Sequence, residues 1–165
     1  MGLKSVTNGR VLGSSEARER GRSLTLVALI LHERLGNWAR QLRPRLHDLP
    51  IRLFETRSRV DLDVVLTGLA SPVVLIDPGK HLAEGLLDLD LVHSRAADAF
   101  ILVNNPDSHT EVTALARELG ATHVLSGFVP PPQVAGLLIR WIALARRRVE
   151  RDDWSRTSSP EKDFS

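Results

Sequence analysis

The positions where this chain could do chemistry are the polar residues that follow its apolar runs. His32 and Glu33 follow Leu24–Leu31, and Glu55 and Thr56 close the run from Ile51. Asp77 ends Pro72–Ile76, Asn104 and Asn105 follow Phe100–Val103, and Ser126 and Gly127 follow Thr122–Leu125. Each has a sharp reading and a bland one. Asp77 is a candidate functional acid, or it ends a strand and caps the Pro78-Gly79 turn. Glu33 is a candidate ligand, or a solvated first-turn carboxylate favoured by a helix N-terminus. Asn104-Asn105-Pro106 contacts a ligand or is simply turn chemistry. Other chemistries are excluded. Cysteine is absent, so there is no disulfide, thiolate metal site or cysteine nucleophile. Histidines 47, 81, 93, 109 and 123 are scattered without paired helical spacing, which argues against zinc. Gly79 and Gly85 make no phosphate loop, and no nucleophile elbow surrounds any serine.

Those residues need a scaffold, and the runs themselves suggest one. The strands predicted at 24–31, 51–55, 72–76, 100–103 and 122–125 are largely apolar without alternation, as parallel strands covered on both faces are. Helical patterns separate them. Leu35, Trp38, Leu42 and Leu46 recur at spacings of three and four, with Pro44 expected to kink or shorten that helix. Ser58 can cap a helix with inner residues Leu62, Val65, Leu66 and Leu69. Leu82, Leu86, Leu89 and Val92 mark the next. Ser108 with Glu111 reads as a capping box ahead of Val112, Leu115, Ala116 and Leu119, and Gly120 stops that helix. The last helix follows Pro130-Pro131-Pro132 and carries Val134, Leu137, Leu138, Trp141, Ile142 and Ala145 on one face. The fold class is therefore α/β, a doubly wound five-stranded parallel sheet with helices on both faces. Ligands of such sheets sit beyond the carboxyl ends of the strands.

Length and composition agree with one domain. The chain has 165 residues, 42% hydrophobic and 25% charged, and a formal charge of +2. So small a net charge gives no general attraction to nucleic acid or membrane. Arg146, Arg147, Arg148 and Arg151 crowd the last helical turns, either as a solvated face or as a contact for an acidic protein or phosphates. The run 24–31 is too short to span a bilayer and lacks a small-residue cleavage site. We expect a disordered tail at 1–22, a domain at 23–151, a disordered tail at 152–165, and a cytoplasmic location.

Three segments resemble the receiver domain of bacterial response regulators, over roughly residues 23–150. Val73-Val74-Leu75-Ile76-Asp77 is similar to the strand ending in the phospho-accepting aspartate. Ala114 to Leu125 is similar to the fourth helix running through Gly120-Ala121 into the fifth strand, and Phe128 to Trp141 to the loop and helix after it. The resemblance implies flavodoxin-like order, and Asp77 as phospho-acceptor. It also implies acids after strand one for Mg²⁺, a hydroxyl after strand four, and a lysine after strand five. The chain departs from that pattern. His32-Glu33 supplies one carboxylate, Asn104 replaces the hydroxyl, and the lysine falls on Ser126 or Gly127. Losing a charge-assisted contact of that kind costs roughly 1.5–3 kcal/mol.

The expected function is thus a stand-alone degenerate receiver in two-component signalling. It would act by protein–protein contact, without enzymatic activity and without a cofactor. Its partners would be a signalling protein such as a histidine kinase or regulator, or a second copy through 108–148. Neither membrane nor nucleic acid is expected as a partner. One alternative is an atypical phospho-receiver in which Glu33 and Asp77 hold Mg²⁺. Another is a ligand-binding or enzymatic flavodoxin-like domain.

Overall fold

A computed structural model describes residues 25–158. Five parallel strands form one sheet in the order β2-β1-β3-β4-β5. They are β1 (Val27–Glu33), β2 (Ile51–Thr56), β3 (Val73–Asp77), β4 (Phe100–Asn105) and β5 (His123–Ser126). Between them run α1 (Asn37–Leu46), α2 (Arg59–Leu66), α3 (Leu82–Arg95) and α4 (Thr110–Glu118), with α5 (Pro131–Thr157) last. The doubly wound sheet read from the apolar runs is present.

Side chains of the central strands alternate between two apolar layers, as the period of two requires. Leu29, Leu31, Leu75 and Leu102 face α1 and α5, meeting Leu42, Leu46, Leu138 and Ile142. Ile30, Val74, Ile76 and Ile101 face the other side, meeting Leu62, Leu66, Leu89 and Ala116. Trp141 is buried as expected and stacks on Phe100 with ring centroids 5.7 Å apart. Arg148 lies 4.3 Å over the same Phe100 ring and donates to the Asp98 carbonyl, tying the helix to the foot of β4.

Several local expectations change. The first helix begins at Asn37, so Leu35 stands in the preceding loop, 75% exposed, instead of on the inner face. Leu115 is likewise 46% exposed. Ser58 caps α2 as expected, its Oγ accepting from the Asp61 amide at 3.1 Å. The capping box at Ser108 does not form. Ser108 adopts φ 53°, and the carboxamide oxygen of Asn105 accepts the His109 amide. The C-terminal tail expected from 152 starts later, because α5 continues to Thr157. Its arginines and Glu150 are good helix formers. The N-terminal tail at 1–22 and residues 159–165 lie outside the described residues. Among the described residues, no helix is long and apolar enough to cross a membrane.

Candidate functional site

Register places the two candidate acids side by side: Glu33 and Asp77 are paired positions at the carboxyl ends of β1 and β3. Between β1 and α1 the chain makes a tight turn through Gly36 at φ 71°, a left-handed conformation that favours glycine. A Cβ there would also come within 3.2 Å of the Arg57 guanidinium. The turn brings the first amides of α1 back over Glu33.

Both Glu33 oxygens are then consumed by the helix. Oε2 accepts the Trp38 amide at 2.9 Å and Oε1 the Ala39 amide at 2.8 Å. These are orphan donors of the first helical turn, which a carboxylate satisfies well. The residue is 5% exposed, so the solvated first-turn reading is corrected: it is a buried cap.

Asp77 is held from three sides. Its Oδ2 accepts the indole Nε1–H of Trp38 at 2.8 Å and the Asn104 carboxamide at 3.1 Å. Its Oδ1 accepts the Gly79 amide at 3.0 Å, closing the turn after β3. Trp38 thus bridges the two acids, by its backbone to Glu33 and by its ring to Asp77. Every one of these donors is neutral. Among the described residues, the arginines in ion pairs are Arg34, Arg43, Arg59 and Arg95, with Glu84, Glu55, Asp88 and Asp63. Lys80 lines a cleft of about 570 Å³ over Asp77, with Leu35 and Pro106, and among the described residues forms no ion pair.

His32 belongs to a second, buried network. Its Nε2 donates to Asp88 Oδ2 at 2.8 Å, and its Nδ1 lies 2.8 Å from the Thr56 hydroxyl. Arg59 donates through Nε to the other Asp88 oxygen at 2.8 Å. The imidazole therefore links β1, β2 and α3, Asp88 extends the network to Arg59 of α2, and the network lines a cleft of about 360 Å³ beside Asp77.

The remaining candidates part company. Asn104 reaches Asp77, whereas Asn105 is fully buried and ties β4 to the loop, donating to the His109 carbonyl and the Thr113 hydroxyl. Gly127 joins a cleft of about 300 Å³ with Trp38, Asp77, Asn104 and the exposed Phe128. Ser126 is exposed, 3.4 Å from the Thr113 hydroxyl, and makes no hydrogen bond to Asp77. Thr56 was a strand-end candidate; Trp38, Asp88 and Arg59 were not. A half-buried tryptophan needs a partner for its N–H, and that was the one available signal for Trp38.

The five-stranded parallel sheet with helices on both faces matches solved structures. The signal receiver domain of an HD domain-containing protein from Pseudomonas fluorescens Pf-5 superposes with TM-score 0.65 at 17% identity, over 78% of this chain and 96% of that one. The fold is that of a receiver domain. A CheY-like receiver from Methanospirillum hungatei JF-1 matches with TM-score 0.63 at 10% identity, over 75% and 99% of the two chains. A response regulator from Burkholderia pseudomallei, solved with a phosphorylated aspartic acid, calcium ion and citrate, gives 0.57 at 14%, over 77% and 72%. No family model matches the sequence, and no curated protein sequence does.

Proposed function

We propose that this receiver-fold domain is a degenerate signalling module that works by protein–protein contact and does not use Asp77 as an efficient phospho-acceptor. The observation that carries the reading is the engagement of both acids: each oxygen of Glu33 and Asp77 accepts a structural N–H. Phosphorylating Asp77 would displace either its Trp38 and Asn104 donors at Oδ2 or its Gly79 donor at Oδ1, and would place negative charge on a group whose bonded donors are all neutral. Phosphoryl transfer in such a site depends on positioning and electrostatic stabilisation, and a neutral indole supplies little of the latter.

A divalent cation is the group the fold family would bring here, and these residues do not suit it. Mg²⁺ demands several oxygen ligands in near-octahedral geometry. Asp77 Oδ2 already accepts two donors, the Glu33 oxygens face backbone amides, and the neighbouring position is an imidazole bound to Asp88.

Receiver domains contact kinases and other regulators, and a module of this kind would signal through such contacts. The test is incubation of the purified chain with Mg²⁺ and acetyl phosphate beside a competent receiver as positive control. We expect no covalent phosphate on this chain by intact-mass measurement. Robust labelling that disappears in Asp77→Asn overturns the proposal.

A further inference from the structure

The last helix outruns the domain it belongs to. Its buried residues end at Ala145, yet it continues to Thr157, about 18 Å further at 1.5 Å per residue. Arg148, although exposed, lies against Phe100 and Asp98, and Arg146 is half-buried. The run of arginines therefore divides, and only some of it faces outward.

Arg140, Leu144, Arg147, Arg151 and Trp154 follow spacings of four, three, four and three, which places them on one face of a helix. All five are exposed, Trp154 at 71%. The arginine ion pairs of the described residues involve Arg34, Arg43, Arg59 and Arg95, so these outward guanidiniums have no carboxylate partner. The stripe spans about 21 Å and holds one opposing charge, Glu150, at its edge.

We infer that this stripe is a docking surface for an acidic amphipathic helix of another protein. Charge complementarity selects the partner: three unpaired guanidiniums ask for carboxylates at matching helical spacing. Leu144 and Trp154 between them ask for apolar side chains, and tryptophan and arginine are the residues that most often dominate such contacts. A second copy laid on the same stripe would set arginine against arginine, which disfavours self-pairing. Apolar residues interleaved at helical spacing, with Glu150 alongside, favour a protein over nucleic acid. The surface rests on the reading of the domain as a protein-binding module and names a contact for it.

The test uses the full chain and a synthetic helical peptide carrying Glu and Leu at alternating spacings of three and four, followed by calorimetry at low and moderate salt. We expect saturable binding that weakens with salt, and at least about tenfold weaker binding by Arg147→Glu with Arg151→Glu. A peptide with Lys in place of Glu should restore binding to that double variant. Both side chains are exposed, so the variant's melting curve should match the parent's. Absence of binding, or binding unaffected by the charge reversal, overturns the inference. So does equal charge-dependent binding of duplex DNA or anionic vesicles, which would make the stripe a general polyanion surface. A chain that does not bind the peptide and is also not labelled by acetyl phosphate rejects this surface alone.

Discussion

Replacing Glu33 by Gln separates a structural cap from a metal-ligand acid by the sign of its effect. In this structure the carboxylate accepts two backbone amides of the first turn of α1, and it is buried. Hydrogen bonds to a charged acceptor contribute about 1.5–3 kcal/mol each. Glutamine is isosteric but keeps only one accepting oxygen, and its amide nitrogen then faces a backbone N–H. One bond becomes a neutral one and the other is replaced by a donor–donor contact. The expected loss is about 2–4 kcal/mol. With a urea slope of about 2 kcal/mol/M, the unfolding midpoint falls by about 1–2 M. Tryptophan fluorescence follows the transition, since Trp38 sits on the cap and Trp141 in the core. If Glu33 and Asp77 instead stood as an unbridged acidic pair awaiting a cation, neutralising one would relieve repulsion and raise the midpoint. A midpoint that rises without metal refutes the cap.

Other perturbations follow from the same coordinates. Asp88→Ala removes the acceptor shared by His32 and Arg59 and should cost about 2–3 kcal/mol, because it leaves the Nε2–H of a buried imidazole without an acceptor; urea unfolding reads it, and a loss under 1 kcal/mol speaks against the network. Gly85→Ala should lower the melting temperature despite better helix propensity, worth about 1 kcal/mol. Its Cβ would lie 2.3 Å from the Cβ of buried Pro78, an overlap that costs more. Arg148→Ala should cost about 1–2 kcal/mol, through the cation–π contact to Phe100 and the bond to the Asp98 carbonyl, with Lys recovering part of it.

The fold was readable because the central strands are buried on both faces. Val73–Ile76 and Phe100–Val103 are apolar throughout, and only a sheet covered on two sides asks for that. The sheet order came with the resemblance, since periodicity carries no information on which strands are neighbours. Helix boundaries were less readable where loop geometry decides them. Leu35 fits the apolar spacing of α1 but falls before the Gly36 turn, and Ser108-x-x-Glu111 fits a capping pattern that Asn105 pre-empts. The positions of Glu33, Asp77 and Asn104 at the strand ends were legible, but their bonding partners were not. Asp88 lies 56 residues from His32 and 29 from Arg59, and the three are linked only through the packing of α2 and α3 against the sheet. Trp38 matched the helical apolar stripe, which hid its role as the donor to Asp77. Local patterns report which face a residue occupies, whereas a side-chain bond across the sheet is a tertiary fact.

The most direct measurement is the indole N–H resonance of Trp38 in ¹⁵N-tryptophan-labelled protein, assigned by Trp38→Phe among the tryptophans at 38, 141 and 154. With its proton donated to Asp77, the signal should move in Asp77→Asn and should stay fixed through millimolar Mg²⁺ with acetyl phosphate. A saturable displacement of that resonance by the metal or the phosphodonor would mean that the carboxylate is free to leave the indole, and would contradict the account.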